Sequence, residues 1–373
     1  MSTLIKLDNV AVTLAESFSE QSAFFKHNIA KINHNDDIVI DSIIVVSSSD
    51  LCFLTSEYSQ KIVSQVLKSF PNTKADIVCQ GCLGLYTAAL HFLSNPSSRS
   101  ALVIMIESPQ EILQVGLNTT DLGNLKDQDG MLGKPGVGLC RLERTTRDVL
   151  TPNDVVIDFV EIIARTTTLD ANAIFVKRII KRVIALQTQQ QSEIISFEIG
   201  AKLAQVFKKY IQPSLANAGF DQTWLPSFEQ DQHHVFSLKL LHEVLEYQHK
   251  LNDCPIIALG LGVGGRFGVM RFTTKKFLAD VNYPEPVSFD MPLIEHYATD
   301  LKALSNQANE KDYYETGKKE MMTINPSPSH LRDNLYFRWP LTLEALEQLT
   351  PMRAPAMSSI VREEASEDLA LTD

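Results

Sequence analysis

The 373-residue sequence has no apolar run long enough to cross a membrane as a helix, and its longest run, Ala101–Ile106, is the length of a buried strand. Positive charge is also scarce, because 34 Lys and Arg stand against 45 Asp and Glu, a net charge of −11. This balance excludes an ordinary basic nucleic-acid-binding surface. Residues 1–14 lack the basic start and apolar stretch of a secretory signal, so we expect a cytoplasmic protein without a membrane span.

Cysteine is too infrequent for a disulfide framework, since there are five residues, an odd number, spread along a long chain. This pattern favours reduced thiols. Cys79 and Cys82 have the spacing of a redox dithiol or of half a zinc site, but no second pair of close ligands accompanies them. We therefore predict no metal site.

The sequence does contain short apolar strands that alternate with helices. The β-branched run Asp41–Asp50 and the run Ala101–Glu107 are typical of buried strands, and the segments Glu57–Phe70 and Leu83–Leu93 are predicted helices. A predicted helix over Val235–Lys250 and a predicted buried strand over Pro255–Leu261 then repeat this alternation of helix and strand. The alternation predicts a layered α/β fold made of two similar halves.

Residues after 274 differ in character, because prolines break them into short pieces. We divide the chain into an N-terminal half (1–150), a C-terminal half (151–274) and a C-terminal extension (275–373). Within the extension, the leucine-rich segment Pro340–Leu349 predicts one docked helix. The acidic tail Glu363–Asp373 is expected to be disordered in solvent.

A glycine cluster, Gly260–Gly265, follows the buried strand of the second half. Its spacing matches a dinucleotide-binding turn, but such a turn must open a helix, and Arg266–Thr273 alternates like a strand. We therefore expect a hairpin in which the missing side chains allow the backbone to approach a ligand or a reacting centre closely.

Cys82 lies between a short buried strand and an apolar helix. The N–H groups at the start of that helix would point towards the sulfur, which lowers the pKa of a thiol and suits a nucleophile. An inert cysteine on a core-facing helix is the alternative interpretation.

Three segments resemble motifs of the thiolase superfamily, and most closely those of beta-ketoacyl-ACP synthase III-like proteins. The segment Asp76–Gly84 resembles the nucleophile region. The segment Gly262–Gly268 is similar to the terminal glycine loop Gly-Gly-Gly-x-x-Trp-Gly, with Phe267 in place of Trp. The segment Leu132–Gly138 resembles Phe-Gly-Asp-Gly-Ala-Gly.

The resemblance implies a five-layered αβαβα fold of two related halves, here with the C-terminal extension added. It also implies an acyl-thioester on Cys82, no permanently bound cofactor, and an acyl-CoA or acyl carrier protein as substrate or partner. Backbone N–H groups of Cys82 and of Val263 or Gly264 would form the oxyanion hole. A dimer near the nucleophile strand, either a homodimer or a heterodimer with another ketosynthase-like subunit, is expected as well.

The sequence departs from the family where the catalytic base is supplied. Ser227 stands where the family has a His in Pro-His-Gln-Ala-Asn, and the Gly-Asn-x-Ser loop has no counterpart. His233 and His234 precede the helix Val235–Lys250, where a segment facing Cys82 would begin, so one of them would replace the base. An exposed pair beside Asp231 is the alternative.

The N-terminal region also lacks the Trp- and Arg-rich segment with which family members bind CoA, which favours a carrier protein or a partner subunit as acyl donor. Four cations at helical spacing would bind its phosphopantetheine phosphate or an acidic helix: Lys177, Arg178, Lys181 and Arg182. A solvated helix face is the alternative.

The sequence thus predicts a ketosynthase III-like acyltransferase or condensing enzyme of lipid, polyketide or other secondary metabolism, with Cys82 as nucleophile. The retained cysteine favours this function. The missing His and Asn segments favour a second one, a catalytically degenerate ketosynthase-like subunit that pairs with an active homologue.

Overall fold

A computed structural model of the chain describes fifteen stretches of residues. They are 4–13, 17–34, 38–47, 57–79, 83–107, 136–164, 179–186, 193–196, 213, 216–217, 224–225, 236–262, 266–278, 294–295 and 337–341.

The described residues of the N-terminal half form five strands and three helices. The strands are β1 (Leu4–Thr13), β2 (Ser42–Ser47), β3 (Lys74–Cys79), β4 (Ser100–Glu107) and β5 (Gly136–Thr145). The helices are α1 (Phe18–Asn33), α2 (Glu57–Ser69) and α3 (Gly84–Ser94). Ser17 is the N-cap of α1: its hydroxyl accepts from the Glu20 N–H and donates to the Glu20 carboxylate.

The C-terminal half repeats the five strands. They are β6 (Val155–Ala164), β7 (Glu193–Ser196), β8 (Trp224–Leu225), β9 (Ile256–Gly262) and β10 (Arg266–Thr273). Its described helices include α4 (179–186) and α5 (Phe236–Tyr247), and α5 is followed by a 3₁₀ turn, Gln248–Asn252. No helix among the described residues is both long and apolar enough to span a membrane.

The two halves have the same sheet topology. In each, the strands lie in the order third, second, fourth, fifth, first, and only the fifth runs antiparallel to its neighbours. The first strands, β1 and β6, pair antiparallel and join the halves into one sheet. The predicted duplication is therefore confirmed by the strand order.

The apolar core separates the secondary structure into layers. Helices α1 and α2 cover the outer face of the first half through side chains such as Phe25 and Val63. Between the halves, α3 and α5 pack against each other and against strand residues of both halves, for example Val103 and Met270. Helix α4 covers the outer face of the second half. This arrangement confirms the five-layered αβαβα fold.

Arg144 of β5 fixes the end of helix α3. Its guanidinium donates to the carbonyls of Phe92, Leu93 and Asn95 at 2.7, 3.0 and 3.0 Å, and to that of Ser98 at 2.8 Å. These carbonyls lie at and just beyond the last turn of the helix, where the regular pattern of intrahelical hydrogen bonds ends. The central helix is thus anchored to the sheet of its own half.

The C-terminal extension adds two strands to the sheet of the first half. Strand β12 (Phe337–Leu341) pairs antiparallel with β3, and the two-residue β11 (Ile294–Glu295) pairs parallel with β12. The helix expected over Pro340–Leu349 is wrong at its start, because Pro340 and Leu341 are strand residues. Pairing with β3 is a contact distant in sequence, which local apolar spacing does not reveal. Residues 342–349 lie outside the described residues.

Candidate active site

Seven of the predicted site residues lie outside the described residues: Cys82, His233, His234, Val263, Gly264, Lys177 and Arg178. The structure does describe the elements that precede and follow most of them. These elements decide which parts of the chain meet.

The chain on either side of Cys82 runs from the end of β3 to the start of α3. Strand β3 ends at Cys79, and Leu83 is the N-cap of α3. Within the described helix, Leu83 supplies no side-chain cap and the first turn carries no acidic residue. The first N–H groups of an α-helix lack intrahelical partners and carry partial positive charge. The start of α3 therefore favours a neighbouring anion such as a thiolate.

Two glycines bring the β9–β10 hairpin onto this same turn. Gly260 and Gly268 lie opposite each other in the antiparallel ladder. A Cβ on Gly268 would lie 2.8 Å from Cδ1 of Tyr86 and 2.9 Å from Cδ2 of Leu83, and a Cβ on Gly260 would lie 3.0 Å from the same leucine carbon. Only glycine leaves room for this contact. The predicted hairpin is thus confirmed, and because β10 is a strand, the dinucleotide interpretation is excluded.

The duplication repeats this contact in the other half. A Cβ on Gly138, the third residue of β5, would lie 2.7 Å from Cδ2 of Leu238, the third residue of α5. Gly268 and Tyr86 hold the corresponding places in β10 and α3. Sequence positions 82 and 234 therefore each precede a central helix by two residues. Assistance from His233 or His234 stays a prediction.

A pair of buried polar residues that the sequence motifs do not include lies between the two central helices. Tyr86 of α3 is 1% exposed and Glu243 of α5 is 0% exposed. Burial raises the pKa of Tyr86 well above its usual value, and the nearby carboxylate of Glu243 raises it further. The sequence did indicate that Glu243 is buried, because Glu243 lies on the apolar stripe formed by Leu240, Val244 and Tyr247.

Among the described residues, the Tyr86 hydroxyl has no hydrogen-bond partner. Tyr86→Phe is therefore expected to raise the free energy of unfolding by about 1 kcal/mol, because it removes a buried hydroxyl that lost its water without compensation. Tyr86→Ala removes the ring as well, and we expect it to lower the free energy of unfolding by about 3 to 5 kcal/mol. Urea unfolding followed by circular dichroism measures both. A loss of stability in Tyr86→Phe would show that the hydroxyl makes a stabilising hydrogen bond.

Cys140 provides an unreactive thiol for comparison. It is fully buried on β5, and burial, with a smaller contribution from the Asp8 carboxylate, raises the pKa of its thiol strongly. A thiol that stays protonated is a poor nucleophile.

The two described cations of the predicted carrier-docking site differ. Lys181 is exposed on α4. Arg182 instead forms an ion pair with Glu161 of β6, donating to Oε1 at 3.1 Å, and lies 5.4 Å from the ring centre of Phe159. The charge of Arg182 is therefore balanced within the fold.

No known protein family and no curated protein matches the sequence. Solved structures similar to this chain include a variant of OleA from Xanthomonas campestris, with 14% identity over 69% of this chain and 81% of that one and a TM-score of 0.48. AbyA1, a tetronic acid condensing enzyme, has 10% identity over 70% of this chain and 83% of that one, with a TM-score of 0.47.

3-Oxoacyl-(acyl carrier protein) synthase III, FabH, from Pseudomonas aeruginosa PAO1 has 11% identity over 72% of this chain and 98% of that one, with a TM-score of 0.43. At such identities the similarity describes the fold.

Proposed function

We propose that this protein is a ketosynthase III-like acyltransferase or condensing enzyme that carries its acyl group as a thioester on Cys82. One observation carries the proposal: Leu83 and Tyr86, which follow Cys82 in the chain, pack against Gly260 and Gly268 of the glycine hairpin. The nucleophile segment and the hairpin were singled out separately in the sequence, 180 or so residues apart, and the fold brings their flanks together.

The proposed chemistry needs one sulfur nucleophile and a set of N–H donors. The Cys82 thiolate attacks the carbonyl carbon of an acyl-CoA or acyl-carrier thioester, and the carrier thiolate leaves as the new thioester forms. One thioester replaces another, so the step costs little free energy. Backbone N–H groups of Cys82 and of Val263 or Gly264 would stabilise the oxyanion, and His233 or His234 would exchange the proton.

Intact-protein mass spectrometry after incubation with acyl-CoA and acyl-carrier thioesters tests the proposal. We expect an acyl-sized mass gain in the native protein, complete loss of that gain in Cys82→Ala, and full retention of it in Cys140→Ala. The second variant is a matched control because the Cys140 thiol is buried and held protonated.

The same experiment distinguishes the second candidate function. If no donor adds mass, even when candidate partner subunits are present, the chain is not an acyl acceptor. The missing His and Asn segments then favour a degenerate ketosynthase-like subunit that shapes the pocket of an active homologue.

A further inference from the structure

The hydroxyl of Tyr86 is a buried polar group that the described part of the fold does not satisfy. Tyr86 is 1% exposed, and its hydroxyl oxygen has no hydrogen-bond partner among the described residues. An unpaired buried hydroxyl lowers stability, and buried polar side chains in proteins are usually paired with protein groups, water or a ligand. The Tyr86 hydroxyl is therefore free to bind a group that does not belong to the described fold.

The contacts of the Tyr86 ring hold its hydroxyl near the start of α3. Side chains on a helix lean towards its N-terminus, so the ring of Tyr86, the third residue of α3, covers the turn that begins at Leu83. Cδ1 of the ring lies 2.8 Å from a Cβ built on Gly268, and Cζ, which carries the hydroxyl, lies 3.2 Å from a Cβ built on Gly260. Because the ring contacts both strands of the hairpin this closely, its hydroxyl has a fixed position.

This position is within reach of an acyl group on Cys82. Tyr86 follows Cys82 by four residues in the sequence, and four residues of an α-helix span roughly 6 Å. The first few carbon atoms of an acyl chain attached to the Cys82 sulfur span a comparable distance. A polar group near the thioester end of the chain could therefore meet the Tyr86 hydroxyl.

The charge near Tyr86 limits the kind of group that its hydroxyl can bind. Burial, and in addition the carboxylate of the fully buried Glu243, raises the pKa of Tyr86 well above its usual value, so the hydroxyl stays protonated and can donate. The same carboxylate disfavours an anion such as the oxyanion of acyl transfer, and also a ketone oxygen, which only accepts hydrogen bonds. A ligand hydroxyl fits better, because it accepts from Tyr86 and has a proton of its own to donate.

We propose that Tyr86 selects acyl groups with a hydroxyl near the thioester, such as 3-hydroxyacyl groups, by donating a hydrogen bond to that hydroxyl oxygen. The inference rests on the proposed function, because Cys82 holds the acyl group. Tyr86 determines specificity here and takes no part in the bond changes of acyl transfer. The unpaired hydroxyl of the free protein gains its partner only when the acyl group binds.

Single-turnover mass spectrometry with matched thioesters tests the proposal. The native protein is incubated with butyryl and with each enantiomer of 3-hydroxybutyryl, supplied as CoA and as acyl-carrier-protein thioesters. We expect one enantiomer to acylate Cys82 about fivefold to tenfold faster than butyryl, which is the effect of one buried hydrogen bond between neutral groups. In Tyr86→Phe, which keeps the ring but not the hydroxyl, the ratio of these two rates is expected to fall to about one.

Thr87→Val is the matched control on the same helix. Thr87 is also buried, but its hydroxyl already donates to the carbonyl of Leu83 at 3.0 Å. We therefore expect Thr87→Val to keep the native preference for the hydroxyacyl group. If Thr87→Val loses the preference as completely as Tyr86→Phe does, the preference depends on the shape of α3, and the proposal is overturned.

The rates also separate failure of this inference from failure of the proposed function. If Cys82 is acylated but neither enantiomer is faster than butyryl, Tyr86 binds water only, and the inference is overturned while the proposed function stands. A native preference that persists in Tyr86→Phe also overturns the inference, because another group then binds the hydroxyl. If no thioester acylates Cys82, the proposed function fails, and the inference fails with it.

Discussion

Gly268→Val is expected to slow acylation of Cys82 by about a hundredfold, because a misplacement of about 1 Å at a reacting group has an effect of this size. The first new carbon would lie 2.8 Å from the Tyr86 ring, and both side chains at this contact, Tyr86 and Leu83, are almost wholly buried. The first turn of α3 must therefore move. The free energy of unfolding is expected to fall by about 1 to 3 kcal/mol, as for other overpacked cores.

The control for Gly268→Val is a variant that is equally destabilised far from the site. Leu150 belongs to a small separate cluster with Leu4, Val156 and Leu278. We expect Leu150→Ala to lower the free energy of unfolding by about 2 to 5 kcal/mol and to keep the native rate of acylation. Single-turnover mass spectrometry with one acyl thioester gives the rates. If a destabilised Gly268→Val variant is acylated at the native rate, the hairpin contact does not affect acylation of Cys82. That result would contradict the prediction.

Asp158→Ala is expected to lower the free energy of unfolding by about 3 to 5 kcal/mol, because it removes a buried carboxylate that helps to balance the charge of a buried guanidinium. The Asp158 carboxylate lies 3.8 Å from Nε of Arg271, and these side chains are 0% and 1% exposed. The pair lies where the β6–β10 register shifts, since Arg271 is opposite Phe159 and Phe272 is opposite Ile157. Asp158 is the extra residue of this bulge.

The double variant Asp158→Leu with Arg271→Met tests whether charge is the cause. Replacing a buried ion pair by apolar side chains of similar size is often close to neutral, so we expect the double variant to recover most of the stability. Urea unfolding of the native protein and of the single and double variants completes the comparison. If the double variant is no more stable than Asp158→Ala, the loss of stability in Asp158→Ala comes from packing and not from the lost charge.

Several elements were predictable because their pattern is local. Strands β2 and β4 are buried on both faces: Ile43 and Leu102 contact the outer helices, while Ile44 and Val103 face the middle layer. Such strands appear in the sequence as short continuous apolar runs. The glycine hairpin was likewise predictable, since Gly260 precedes a segment that alternates like a strand.

Other features depend on which distant segments meet. No local pattern indicated that β12 would pair with β3, and the apolar residues after Pro340 suggested a helix instead. Glu243 and Tyr86 are each unremarkable in their own helices and become a buried pair only because α3 and α5 share the middle layer. The ion pair between Arg182 and Glu161 also depends on two segments meeting. The sequence alone showed only that Arg182 belongs to a cluster of cations.

The sequence by itself determined the layered α/β class, the two related halves, the glycine hairpin and the position of Cys82 before a central helix. Each follows from a period, a turn residue or a spacing within one segment. Only the tertiary structure decided that the hairpin packs on Leu83 and Tyr86, that β12 covers β3, and that Asp158 is buried with Arg271. These are contacts between segments far apart in the chain, and β-pairing partners are chosen by the whole sheet rather than by the local sequence.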